Sequence, residues 1–211
     1  MPYAKIISMN DPYFDALKAI YSQRGYRLYI VGGTTRDLLL KRKYTDRDFA
    51  TDATPEEEKG FVKDANFAFS KYGALKLFFQ GVEIDVTTLR EEGDYKDFRH
   101  PGDVRFVKDP KEDYIRRDFT INALYLDEDY RLLDYCGGER DLDAKIIRFI
   151  GDPEKRVQED PLRIIRAERF AQTLGFSIDG KTQKALDEYH YLLEKLNPDK
   201  IAEEERKGWK R

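Results

Sequence analysis

Apolar residues recur at helical spacing in residues 11–24, where Phe14, Leu17, Ile20 and Tyr21 share one face behind Asp11 and Pro12. This predicts a helix with Asp11 as N-cap and proline in its first turn. Leu28, Ile30 and Val31 then make a short apolar strand that breaks at Gly32-Gly33. Arg36, Asp37 and three leucines follow as a helix, with Thr34 or Thr35 placed to cap it. Past a basic loop, residues 46–50 predict a strand. Its period of two sends Asp46 and Asp48 to one face, Arg47 and Phe49 to the other. Thr54-Pro55 with three glutamates starts another helix, its acids in the first turn where the dipole favours them. Leu75, Leu77 and Phe79 alternate before a turn at Gln80-Gly81 and a second strand over residues 82–89. Residues 91–115 are polar and keep neither period, which predicts a long loop. Residues 116–124 read as a helix and 126–135 as a hairpin. Beyond Arg148 strand signals fade, so a domain boundary is expected near Gly151 or Asp152. Helices are expected to follow from Asp160-Pro161, over 181–196 with Leu186, Tyr189, Leu192 and Leu193 as a core stripe, and over 199–207.

Composition narrows the picture. The 211 residues suffice for one large or two small domains, and 14 Tyr with 13 Phe argue against disorder. A net charge of −3 supplies no global basic field, so any nucleic-acid contact rests on local patches. The single cysteine, Cys136, excludes an internal disulfide and a cysteine-rich zinc site and reads as a small packing residue. His100 and His190 form no ligand spacing. No apolar run reaches membrane-spanning length and no signal-peptide core opens the chain, so a cytoplasmic protein without membrane or disulfide partners is expected.

The chemistry concentrates in residues 30–53. Asp46 and Asp48 on one face repel unless a cation sits between them, and oxygen-only ligation suits Mg²⁺. The glycine pair entering a helix allows close backbone approach, and the free N–H groups favour a phosphate. Separately, a strand, Gly-Gly, helix junction is ordinary packing and an Asp-x-Asp is commonly a solvated turn. Their order along the chain places metal beside phosphate.

GGTTRD followed by DRD resembles the opening motif of class II tRNA nucleotidyltransferases (CCA-adding enzymes) and bacterial poly(A) polymerases, members of the polymerase beta-like superfamily. RRDFTINAL at 116–124, DYCGG at 134–138 and EDPLRIIRAERF at 159–170 match further motifs in the family's order. The resemblance implies an α+β fold: a nucleotidyltransferase head, a mixed β-sheet flanked by helices, in residues 1–150, then an all-helical, base-recognising neck in residues 151–211. It implies transfer of CMP and AMP from CTP and ATP to a tRNA 3′ end. Asp85, in VEIDVTTLR, would complete a carboxylate trio with Asp46 and Asp48 holding two Mg²⁺ ions. Gly32, Gly33 and Arg36 would cradle the triphosphate, and Arg117, Asp118 and Asn122 would recognise the sugar. Asp160 and Arg163, with Arg166 one turn on, would present an acceptor and a forked donor that mimic a Watson–Crick edge. The DYCGG segment would form a hinge-like turn. Residues 91–115 would be the family's flexible loop, typically lacking in enzymes that add only CC, with Arg99, His100 and Arg105 as candidate phosphate contacts.

Each of these residues has a plainer reading. Asp85 alone is a surface acid on an edge strand, Asp160 with Arg163 is a helix-start ion pair, and the loop cations are merely solvated. The last segment, KIAEEERKGWKR, only loosely matches the family's neck-stabilising motif, and the body and tail domains of full-length members have no counterpart here, which leaves binding of a whole tRNA unsupported. Within the family the alternative is a poly(A) polymerase or an enzyme adding only the terminal A. Outside it stand a non-catalytic nucleotide- or RNA-binding module and, third, a small-molecule nucleotidyltransferase.

Overall fold

The structure, a computed structural model, describes residues 5–44, 46–93 and 102–207. Arg99 and His100, and the last segment from Gly208, lie outside the described residues. The chain forms two compact units that interleave. The first runs through Glu91 and takes in Val104–Ile115 and Asn122–Tyr135. The second takes Glu92 and its described neighbours up to Asp103, Arg116–Ile121, and the residues from Cys136 onward.

The first unit contains α1 (Pro12–Ser22), β1 (Leu28–Ile30), α2 (Gly32–Leu39), β2 (Asp48–Thr51), α3 (Pro55–Lys59), β3 (Ala65–Asn66), β4 (Ala74–Phe79), β5 (Val82–Thr88), β6 (Arg90–Glu92, its last residue counted with the second unit), β7 (Val104–Phe106), α4 (Pro110–Asp113), β8 (Leu124–Leu126) and β9 (Leu132–Asp134). Seven strands make a mixed sheet in the order β3-β4-β5-β2-β1-β8-β9, antiparallel except where β2 runs parallel to β5. Asp11 caps α1 by accepting from the N–H groups of Tyr13 and Phe14, and Phe14 meets Phe49 edge-on at 5.3 Å. The turn between β4 and β5 holds Gln80 and Gly81 at φ 50° and 82°, the left-handed pair that matches a two-residue hairpin to strand twist. Tyr29, Val31, Ala50, Leu89, Val107 and Tyr125 form a second apolar cluster.

Under α1 a glutamate is sealed from water. Glu58 is fully buried, Tyr21 donates its hydroxyl to Oε1 at 2.6 Å, and Oε2 has no hydrogen-bond partner among the described residues. Burial pushes its carboxyl up to about 8, against the Tyr21 hydrogen bond. The folded state therefore holds a proton that the unfolded chain releases near its ordinary 4.5. Stability falls as pH rises from there to about 8, by up to about 1.4 kcal/mol per pH unit. Urea midpoints taken from pH 5 to pH 8 should decline for the wild type, with the decline removed in Glu58→Gln. An equal slope in that variant excludes Glu58 as the source.

The second unit contains α5 (Gly138–Asp143), β10 (Ile146–Ile147), α6 (Pro153–Glu159), α7 (Leu162–Leu174), β11 (Ser177–Ile178), α8 (Gly180–Tyr189) and α9 (Pro198–Arg206). β10 pairs in parallel with β11, and β11 apart, the described residues after Gly151 build helices and turns. Phe119 stacks on Phe149 at 5.0 Å and meets Phe170 edge-on at 5.8 Å.

Several elements depart from the sequence expectations. Helix α2 begins at Gly32, ahead of either threonine, with the Asp48 carboxylate of the neighbouring strand accepting from the Gly33 N–H. The strand expected from Asp46 begins at Asp48. Residues 116–124 make no continuous helix: Phe119 bridges to Phe149, flanked by the 3₁₀ turns Tyr114–Arg116 and Thr120–Asn122, and Leu124 enters the sheet. The expected loop over 91–115 holds β7 and α4, each too short for its period to register. The helix expected over 181–196 changes to a 3₁₀ helix at His190–Lys195. Among the described residues no helix is long and apolar enough to cross a membrane.

Candidate active site

The parallel pairing of β2 with β5 sets Asp48 directly opposite Asp85, on strands that neighbour at about 4.8 Å. Residues opposed in a ladder point to the same face, so the two carboxylates stand side by side. Asp48 is also the point on which the glycine turn rests. Its Oδ2 accepts from the Gly33 N–H at 3.2 Å, and a Cβ at Gly32 would come within 3.1 Å of the same oxygen. Gly32 has φ 67°, which a side chain would oppose independently. Thr34 fixes the approach to the strand: its hydroxyl donates to the Asp46 carbonyl at 3.1 Å and accepts from the Asp48 N–H at 2.8 Å. Asp46 itself is exposed, ahead of the ladder.

Arg36 sits deeper than a triphosphate cradle suggests. Its side chain is 1 % exposed; Nε and Nη2 donate to Asp37, and Nη1 donates to the Asn122 amide oxygen at 2.8 Å. Buried and hydrogen-bonded, it braces Asn122 and underlies Gly33, whose added Cβ would lie 3.5 Å from Nη2.

In the second unit Asp118 is nearly buried. Its Oδ1 accepts from the Phe119 N–H at 2.7 Å, and Oδ2 accepts from both Nε and Nη2 of Arg166. Asp118 and Asn122, read from sequence as one helical face, thus have separate partners. Burial works against the charge on Arg166, but Asp118 and Glu204 outweigh it and hold the guanidinium protonated. Arg117 is half-buried, and its carbonyl, like that of Arg116, accepts from Arg156 Nη2. Asp160 ends α6 and accepts from the Leu162 N–H at 3.1 Å. The buried Arg163 donates through Nη1 to the Arg156 carbonyl at 2.7 Å and to Glu159 at 2.9 Å. Arg105, the described loop cation, ion-pairs with Glu91 and Glu112.

Lys76 and Glu204 escaped the sequence reading. Lys76 lies opposite Asp85 on its other flank, its Nζ 3.2 Å from Oδ1; only the β4–β5 register reveals it.

Among the described residues no three His, Cys, Asp or Glu side chains converge to hold a metal ion. Asp48 and Asp85 nevertheless fit Mg²⁺, which binds through one or two carboxylates and completes its shell with phosphate oxygens and water. The glycine turn on Asp48 would bring such a phosphate to that edge.

Residues 28–148 match the family model described as Poly A polymerase head domain. The CCA-adding enzyme of Lactobacillus helveticus is 40% identical over 202 residues, covering 95% of this chain and 51% of that protein. That of Bacillus subtilis is 41% identical over 174 residues, 82% of this chain and 44% of its own. The solved Bacillus stearothermophilus CCA-adding enzyme in complex with CTP has a TM-score of 0.84 at 37% identity, covering 95% of this chain and 49% of that one. The Thermotoga maritima CCA-adding enzyme complexed with tRNA gives 0.72 at 29% identity, covering 93% and 47%. The chain spans about half the length of the curated relatives it matches. On the match over residues 28–148, which contains both in-register aspartates and the glycine turn beside them, the chain belongs to the poly(A) polymerase head-domain family.

Proposed function

We propose that the chain is a template-independent RNA nucleotidyltransferase that adds CCA, or part of it, to tRNA 3′ ends from CTP and ATP. The observation that carries this is the Asp48/Asp85 pair in one register position with the Gly32-Gly33 turn seated on Asp48. Relatives solved with CTP and with tRNA support the choice of substrates. The RNA 3′ hydroxyl oxygen bonds to the α-phosphorus while the bond to the β-phosphate bridging oxygen breaks. Pyrophosphate leaves, and the hydroxyl proton passes to solvent. Asp46, Asp48 and Asp85 would hold Mg²⁺, two ions in the fullest form, which when bound supplies Lewis-acid polarisation of phosphoryl oxygens. The chain's own part is positioning. Gly32 and Gly33 let phosphate approach the backbone, Arg36 braces Asn122, and Arg117, Asp118 and Asn122 serve the sugar. Asp160, Arg163 and Arg166 serve the base, ordered by their bonds within the second unit. In this reading residues 1–150 act as head and 151–211 as neck, in a reducing cytoplasm.

The test is incubation with labelled CTP or ATP, Mg²⁺ and tRNA transcripts ending before CCA, after C, or after CC. Addition that stops at CCA is expected. A lone A, or a long A tail, would replace CCA addition by the A-adding or poly(A) activity, and absence of both incorporation and Mg²⁺-dependent nucleotide binding would overturn the proposal.

A further inference from the structure

Alternation along β4 buries Leu75 and Leu77 and turns Lys76 and Phe78 to the opposite face. Register then sets Lys76 opposite Asp85 and Phe78 opposite Glu83, while Asp85 has Asp48 on its other side. Asp48, Asp85 and Lys76 thus form a row across three adjacent strands, two anions and one cation on one face. The ammonium of Lys76 lies 3.2 Å from Asp85 Oδ1 and 2.5 Å from Glu83 Oε1.

We propose that Lys76 is a resident counter-cation of the carboxylate pair, holding Asp85 while no divalent ion is bound and yielding it when one arrives, so that it sets the affinity of the site for the ion. This rests on the reading of Asp48 and Asp85 as metal ligands. Two carboxylates side by side repel, and a compact ammonium on a flexible stem relieves that repulsion without occupying both of them. Glu83 provides the second half of the device. It binds the same ammonium, so the charge stays on Glu83 when the metal takes Asp85, with no unpaired lysine left behind. The exchange is cheap because the pair is wet: the side chains of Lys76 and Asp85 are each 48% exposed, and an ion pair in water is weak. Lys76 therefore tunes the affinity without abolishing binding.

Mn²⁺, followed by the paramagnetic signal of the free ion, is titrated into the full chain, into Lys76→Met and Lys76→Arg, and into Asp48→Asn as a site control. Lys76→Met is expected to bind Mn²⁺ roughly 3- to 10-fold more tightly than wild type, the effect of removing one nearby positive charge at high dielectric. Lys76→Arg should stay close to wild type, and the gain should shrink as salt rises. In the absence of metal, Lys76→Met should melt below wild type, with a larger upward shift on adding Mn²⁺. Unchanged or weaker binding in Lys76→Met, while Asp48→Asn loses binding, overturns the role of Lys76 and leaves the metal site standing. Binding that survives Asp48→Asn, or is missing from the wild type, removes the metal reading and the inference with it.

Discussion

Replacing Asp46 and Asp48 together with alanine should reduce nucleotide incorporation by on the order of 10³-fold or more while the protein still folds. The magnitude follows from what one preorganised group at developing charge contributes, about 10²- to 10³-fold, and here two are removed. Retention of the fold follows from their location. Asp46 is exposed, and Asp48 is half-buried with Oδ2 receiving the Gly33 N–H, a hydrogen bond whose loss costs about 1 kcal/mol. The Thr34 hydroxyl continues to bind the backbone on both sides, at the Asp46 carbonyl and the Asp48 N–H. Circular dichroism and the urea midpoint should match wild type within that margin. Wild-type incorporation by the double variant would remove the carboxylate mechanism.

Glu204→Ala should cost about 1–3 kcal/mol of stability, because the carboxylate is buried and Arg169 beside it is only 11% exposed, whereas Arg166 keeps Asp118 and Lys207 stands half in water. The glutamate is 5% exposed on α9 and receives Arg166 Nη1 at 3.5 Å, Arg169 Nη2 at 2.7 Å and Lys207 Nζ at 2.8 Å. Burial raises its carboxyl, but Arg166, Lys207 and Arg169 together bring it below the ordinary 4.5. Because the folded value is depressed, this stabilisation is present above 4.5 and is lost as pH falls through the folded value. Wild type should therefore lose more stability on acidification than Glu204→Gln does. Arg166 also holds Asp118, so the alanine variant should raise KM for nucleotide beyond what its unfolded fraction explains. A stability loss under 1 kcal/mol would show that the three cations find other partners.

Elements whose period and punctuation lie within one short stretch were legible in the sequence. Asp11-Pro12 ahead of a helical stripe gave α1, and Gln80-Gly81 between alternating runs gave the β4–β5 hairpin. The juxtaposition of Asp48 with Asp85 was not readable from residue patterns, because the parallel register is set by sheet order across α3, β3 and β4; only the family resemblance pointed to Asp85. Thr34 has the chemistry of an N-cap, yet its hydroxyl spans the Asp46–Asp48 backbone, while Asp48 caps the helix from another strand. Arg36 reads as a phosphate ligand because nothing adjacent reveals its depth. Asp118 and Asn122 sit one helical turn apart in sequence, but a β-bridge at Phe119 interrupts the helix that spacing requires.

The interleaving of the two units governs how the polypeptide folds as it leaves the ribosome. β1 and β2 can pair early, but the other flank of β1 belongs to β8, so that edge stays unpaired until Leu124–Leu126 has emerged. An apolar strand such as Leu28–Ile30, waiting with an open edge, invites pairing with other chains. Synthesis that pauses before Leu124 should therefore increase the demand for chaperones. A fragment ending short of Asp134 lacks part of the first unit's sheet, so no single cut in the chain yields both units whole.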